Sequence, residues 1–218
     1  MFMIQRFSFI LILTTLILSG CSTVDSKTFY SLDGSVAQVI VVHPIPHNPS
    51  QAELSLWQKQ SSGWHRLLRI SALIGRNGLA PFGTKKEGDG KTPSGRFPLE
   101  TAFGYAPAIE TRLEYRQAGN LDFWVDDPRS VQYNQWVNGM PVAASFERMK
   151  RCDNLYQYGI IIGYNDHPII PGAGSAIFMH VWRRYDHPTA GCVAVSQRYL
   201  RKILRWLDKQ YRPVIILE

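Results

Sequence analysis

Two side chains in the C-terminal third of the sequence are of the types that perform thiol chemistry together. His180 stands near the end of one apolar run, and Cys192 follows Gly191 at the start of the next. A free thiol has a pKa of about 8.5 and attacks as the thiolate, so it needs a partner that takes its proton. An imidazole within hydrogen-bonding reach does this and can later protonate a leaving amine. We therefore predict nucleophilic acyl chemistry at Cys192 with His180 as the base.

The residues before the cysteine indicate how a carbonyl substrate would be held. Gly191 has no side chain, so the backbone can turn tightly and approach a substrate closely. The backbone N–H groups around Gly191 and Cys192 are therefore candidates for stabilising an oxyanion. The hydroxyl of Thr189 is predicted to hydrogen-bond either the loop or the substrate.

A second histidine, His187, is closer in sequence to the thiol than His180 is. It lies in a polar loop, where its position is less fixed, so the role of base is assigned to His180. Asp166, Asp186 or a backbone carbonyl could orient the imidazole, and the sequence leaves these three alternatives open.

Two groups of residues are candidates for substrate binding. Trp182 and Arg183 stand between the histidine and the cysteine, so they must lie near the site. The guanidinium group of Arg183, or of Arg184, could bind a substrate carboxylate through two hydrogen bonds. Tyr133 and Asn134 belong to an aromatic and polar segment that could flank a groove. The alternative for this segment is packing in the core.

Cys152 offers a structural alternative for Cys192. In an oxidising compartment the two thiols could form a disulfide, which sequence spacing alone does not exclude. Histidines and cysteines also bind Zn²⁺, but those near the thiol lack the short paired spacing of structural zinc sites. Thiol acyl transfer needs no metal or organic cofactor, and we predict neither.

The elements that must position the histidine and the cysteine are mostly short strands. Many strands, few helices and no internal repeat predict a mainly β domain with a few helices. Ser196 is the predicted N-cap of the clearest helix. The predicted strands are 39–42, 54–59, 64–74, 97–103, 121–125, 158–164, 176–182, 192–195 and 214–217, and the predicted helices are 141–151 and 199–211.

The first 20 residues have the pattern of an export signal. Arg6 supplies positive charge, and residues 7–18 form an apolar run that is shorter than the roughly 20 residues of a membrane span. The run ends in Leu18-Ser19-Gly20-Cys21, which resembles the lipobox of bacterial lipoproteins. The resemblance implies cleavage before Cys21, lipidation of its thiol and, since Ser22 follows, an outer-membrane anchor facing the periplasm. The alternative is an ordinary signal peptide, or an uncleaved anchor, in which the cysteine occurs by chance.

The charge pattern bears on the class of partner. The formal net charge is +7, but the basic residues are scattered and form no long cationic run. Nucleic-acid binding therefore has little support, whereas a modest positive field suits an anionic envelope polymer. The predicted organisation is a signal peptide at 1–20, a lipidated tether at 21–37 and one catalytic domain at 38–218.

The residues around the thiol resemble a family signature. His180 at a strand end, a variable loop and Thr189-Ala190-Gly191-Cys192-Val193 are similar to the signature of the L,D-transpeptidase catalytic domain family, of the YkuD type. A second similar block, at residues 88–99, contains Thr92-Pro93-Ser94-Gly95. The resemblance spans about residues 39–218 and implies an L,D-transpeptidase-like β-sandwich.

The resemblance also implies a reaction on peptidoglycan stem peptides in cell-wall cross-linking or remodelling. Cys192 would attack the carbonyl between the third residue, often diaminopimelate, and the fourth, D-Ala. An amine would then take the acyl group from the thioester. With water as acceptor, or a cross-link as donor, the enzyme would be an L,D-carboxypeptidase, endopeptidase or amidase. A non-catalytic envelope-binding lipoprotein is the remaining alternative.

Three positions depart from the common family pattern. Ala190 replaces a frequent histidine, Val181 a frequent glycine, and Ala194 a frequent basic residue or asparagine. The nucleophile and base are retained, so the departures fit a divergent branch and leave the acyl acceptor open.

Overall fold

The computed structural model describes Phe29 and residues 32–218. Asp33–Glu218 form one compact unit, which holds all the elements below. The predicted signal peptide and the lipidation site at Cys21 lie outside the described residues, as does most of the tether. Within the described part, no helix combines the length and apolarity that crossing a membrane requires.

The fold is mainly β, as predicted. The described residues contain fifteen strands, one α-helix (α1) and one 3₁₀ helix. The strands are β1 Gln38–Ile45, β2 Asn48–Gln60, β3 Gly63–Leu73, β4 Leu79–Ala80, β5 Thr92–Pro93, β6 Gly95–Pro98, β7 Thr101–Gly104, β8 Glu114–Gln117, β9 Asp122–Val125, β10 Trp136–Asn138, β11 Phe146–Arg148, β12 Tyr158–Ile161, β13 Phe178–Val181, β14 Val193–Val195 and β15 Val214–Leu217. The helices are α1 Gln197–Trp206 and the 3₁₀ helix Lys209–Tyr211.

Ten strands form one large sheet in the order β6-β15-β1-β2-β3-β14-β13-β12-β7-β8. A three-stranded sheet has the order β10-β9-β11, and β4 pairs with β5. Residues 39–42 of β1 are fully buried. Both faces of this strand are therefore covered, which explains why its sequence is a continuous apolar run instead of an alternating pattern. β2 and β3 form an antiparallel hairpin, and Gly63 adopts the positive φ of 113° that favours glycine at its turn.

Helix α1 has the predicted N-cap. The Ser196 hydroxyl accepts a hydrogen bond from the Tyr199 N–H, which satisfies one of the unpaired donors of the first turn. Leu200, Ile203 and Leu204 are buried at helical spacing. The helix ends at Trp206, earlier than predicted, because the chain extends at the next residue and starts a separate 3₁₀ turn.

The helix predicted at residues 141–151 is wrong. Residues 146–148 form β11 and pair antiparallel with β9. The Ala144 N–H donates to the Asp127 carboxylate at 2.8 Å, which supports a bend instead of a helical turn. Pairing with a distant strand thus outweighs a short helical pattern that rests on two apolar residues, Phe146 and Met149.

Successive side chains of strand β13 point alternately into two apolar clusters. Met179 and Val181 belong to the larger cluster, whereas Phe178 packs with Cys192 in the second. Successive side chains of a strand point to opposite faces. His180 therefore lies on the face of Phe178 and Cys192, which is where the site forms.

Candidate active site

The sheet register brings the thiol and the imidazole to one face. β13 and β14 are parallel neighbours, and His180 pairs with Ala194. Cys192 stands two residues before Ala194, so it shares the face of that residue and of His180. Both side chains line one cavity of about 430 Å³. The two strands are thus neighbours, as predicted, and both side chains line one cavity; the roles of His180 as base and Cys192 as nucleophile stay predictions.

The thiol of Cys192 is held by the backbone of the segment before β13. Its Sγ–H donates to the Ala176 carbonyl oxygen at 3.2 Å, and the Phe178 N–H donates to Sγ at 3.4 Å. Cys192 is buried and Cys152 is exposed, and both are free thiols. The alternative of a disulfide between these two residues is therefore wrong.

The imidazole of His180 is oriented by a backbone carbonyl. Its Nδ1 lies 2.8 Å from the Val181 oxygen, and a carbonyl oxygen only accepts, so Nδ1 carries the proton. This tautomer leaves Nε2 free to accept a proton. Of the other groups considered, Asp166 contacts His167 and Asp186 pairs with Arg184.

Burial keeps both reactive groups uncharged in the ligand-free protein. Burial raises the pKa of Cys192 to about 12, and the negative charge of Glu147 acts in the same direction. Burial lowers the pKa of His180 to about 4. At neutral pH the pair is therefore a thiol and a neutral imidazole, so the proton must move as the substrate binds or reacts.

The loop before Cys192 uses its polar groups internally. Thr189 Oγ1 donates to the Cys192 carbonyl oxygen at 2.6 Å and accepts from the Gly191 N–H at 3.1 Å. That N–H is therefore committed to the loop, so the predicted oxyanion role does not hold for Gly191; for the Cys192 N–H it stays a prediction. Gly191 is required instead for packing, because a Cβ there would lie 3.0 Å from the Lys91 oxygen.

The upstream block of the sequence reaches the same loop. Thr92 Oγ1 donates to the Cys192 carbonyl oxygen at 3.4 Å and accepts from the Gly75 N–H at 2.9 Å. Thr92 is fully buried. The block thus supports the backbone of Cys192.

Comparison with known proteins identifies the family of the chain. The sequence pattern of the L,D-transpeptidase catalytic domain family, YkuD, matches residues 37–216. The chain belongs to this family. No curated protein matches it.

One solved structure with limited similarity is described as the structure of Bdellovibrio bacteriovorus Bd1075. It is 14% identical, with a TM-score of 0.46 over 84% of this chain. The present chain spans about half, 48%, of the length of that protein.

The cavity of this L,D-transpeptidase-family domain contains both predicted and unpredicted residues. Trp182, Arg183 and Thr189 line it, as does the exposed His187. The sequence did not point to five further lining residues, because they come from segments distant in the chain. These are Arg76, Glu147, Arg151, Leu155 and Tyr156.

Tyr133 and Asn134 do not line this cavity, so their predicted role in substrate binding is not supported. The Tyr133 hydroxyl donates to Glu87 at 2.5 Å. Asn134 Oδ1 accepts from the Trp124 indole at 3.0 Å and from the Ala176 N–H at 3.1 Å. Since the Ala176 carbonyl holds the thiol, Asn134 supports the site from behind, which is the core alternative considered for this segment.

We expect Asn134→Ala to lower the free energy of unfolding by about 2–4 kcal/mol, because it leaves buried donors and acceptors without partners. Urea denaturation measures the change. Asn154→Ala is the matched control, since Asn154 has a similar positive φ of 59° against 56° but is exposed. Equal losses in the two variants would attribute the effect to backbone strain instead of the hydrogen bonds.

Among the residues that the structure describes, no group of three or more His, Cys, Asp or Glu side chains could hold a metal ion.

Proposed function

We propose that this chain is a cysteine-dependent L,D-transpeptidase that acts on peptidoglycan stem peptides. The observation that carries the proposal is that His180 on β13 and Cys192, immediately before the adjacent parallel strand β14, line one cavity. Nucleophile and base must be held in a defined relation for acyl transfer, and regular strands provide it.

The proposed first half-reaction transfers the acyl group to sulfur. His180 Nε2 takes the thiol proton as Cys192 Sγ bonds to the carbonyl carbon before the terminal D-amino acid. The C–N bond then breaks, and the imidazolium returns the proton to the leaving amine. The products are a thioester on Cys192 and a free D-amino acid, with His180 neutral again.

The second half-reaction releases the thioester. An amine of a second stem peptide attacks the carbonyl carbon, and His180 accepts the amine proton and returns it to the departing sulfur. The product is a new amide between two stems. Because a stem peptide ends in carboxylates, the guanidinium groups of Arg76 and Arg183 in the cavity lining suit this class of substrate.

The proposed location is the cell envelope. Residues 1–20 would be removed as a lipoprotein signal peptide, and the lipid on Cys21 would anchor the protein, facing the periplasm, at the outer membrane. An enzyme of peptidoglycan remodelling would there have its substrate within reach.

Muropeptide mass spectrometry tests the proposal. Purified disaccharide tetrapeptides are incubated with the wild-type protein and with Cys192→Ala. We expect dimers cross-linked between third-position residues with the wild type and none with the variant. Tripeptide monomers alone would assign the chain to the hydrolases of the same family, and unchanged substrate would overturn the proposal.

A further inference from the structure

The cavity contains one carboxylate that the proposed reaction does not use. Glu147 lies on β11, is partly buried, and lines the cavity together with Cys192 and His180. The Tyr156 hydroxyl donates to its Oε2 at 2.5 Å. No described residue donates a hydrogen bond to the other oxygen, Oε1, which leaves one side of the carboxylate available to a ligand.

The same cavity also contains cationic groups. Arg151 forms two hydrogen bonds to the carboxylate of Asp153, at 2.9 and 2.7 Å, and Arg183 binds the same carboxylate at 2.9 Å. One aspartate thus serves two guanidinium groups. Arg76 has no carboxylate partner among the described residues. The positive charge of the three guanidinium groups therefore exceeds the negative charge of Asp153. Glu147 is a second carboxylate, separate from Asp153.

A cavity with both signs of charge suits a ligand that carries both. An amino-acid terminus has an ammonium group and a carboxylate on one carbon, about 2–3 Å apart, and each binds a group of the opposite charge through charge-assisted hydrogen bonds. A free diamino-acid side chain in a stem peptide presents this arrangement. A neutral or acylated side chain does not.

Glu147 also acts on the nucleophile. Its negative charge contributes to the raised pKa of the Cys192 thiol, and burial raises the pKa of Glu147 itself. A cation bound at Glu147 would offset its charge and favour the thiolate. Substrate recognition and thiol activation would then be coupled.

We propose that Glu147 is a specificity-determining residue that binds the side-chain ammonium group of the third residue of the stem, while the arginine side of the cavity binds the adjoining carboxylate. This inference rests on the proposed function and names its substrate class: stem peptides with a free zwitterionic side-chain terminus. The bound ammonium lies beside the nucleophile and promotes ionisation of its thiol.

Two matched donors test the inference. The donors are tetrapeptides that differ only in whether the side-chain amine of residue three is free or acetylated, and release of D-Ala is measured. We expect the wild type to prefer the free amine by about tenfold or more in kcat/KM, which corresponds to one charge-assisted contact. Glu147→Gln should lose most of this preference, because its rate on the free-amine donor falls further than its rate on the acetylated donor.

Glu110→Gln is the control, because Glu110 lines a different cavity and pairs with Arg205, and it should retain the preference. An equal loss on both donors in Glu147→Gln would overturn the inference and leave the proposed function intact. No D-Ala release from either donor by the wild type would overturn the proposed function, and the inference with it.

A second readout needs no substrate. The rate of Cys192 alkylation by iodoacetamide is followed against pH in a Cys152→Ser background, which removes the exposed thiol. Since Glu147 raises the pKa of the thiol, Glu147→Gln should shift the alkylation profile to lower pH, which a merely structural role would not do. An unchanged or upward-shifted profile would count against the inference.

Discussion

Replacing Cys192 by alanine is expected to lower the rate of D-Ala release by at least about 10³-fold, because no other group can form the thioester. The fold should persist. The lost Sγ makes two weak hydrogen bonds, to Ala176 and from Phe178, so the free energy of unfolding should fall by only about 1–2 kcal/mol. Steady-state kinetics and thermal denaturation on the same preparations separate the two effects.

Cys152→Ser is the matched control for this substitution. Cys152 is free but exposed and does not line the catalytic cavity, so its loss should leave turnover within about twofold of wild type. Intact-mass spectrometry with a carbapenem should show one adduct in this variant and none in Cys192→Ala. A full adduct in Cys192→Ala would show that the reactive nucleophile is another residue.

Replacing His180 by alanine is expected to lower kcat/KM by about 10²- to 10⁴-fold, the usual range for a general base. His187 is the natural control because it lines the same cavity but is exposed. His187→Ala should retain most of the activity. The reverse result would transfer the role of base to His187.

The pH dependence of the wild type gives an independent test of this assignment. The imidazole accepts a proton only when it is neutral, and burial lowers the pKa of His180 to about 4. The acid limb of kcat/KM should therefore lie near pH 4, with activity retained at pH 5–6 and lost below pH 4. An acid limb near 6.5, the ordinary histidine value, would contradict the assignment of the buried His180 as the base.

Much of the sheet could be predicted from the sequence. Residues 39–42 and 214–217 are continuous β-branched and apolar runs, and they form the paired strands β1 and β15. The segment 141–151 could not be predicted in the same way. Phe146 and Met149 fit a helix as well as a strand, and pairing with β9 decided the outcome.

The residues of the candidate site could likewise be predicted only in part. Cys192 and His180 were recognisable because thiol and imidazole stand at the ends of two apolar runs that become neighbouring strands. Tyr133 and Asn134 were misplaced, because an aromatic and polar segment has the same composition in a groove and in the core. Their burial and their hydrogen bonds are tertiary properties.

The sequence by itself determined the mainly β class, the family and the two side chains suited to thiol chemistry, since these depend on residue types and short-range order. Only the tertiary structure decided the electrostatic environment of the Cys192 thiol. Arg76 comes from one segment and Glu147 and Arg151 from another, and they meet at the cavity; burial sets both pKa values. Desolvation and charge act through space, so the neutral resting state of Cys192 and His180 follows from the folded arrangement and not from the order of residues.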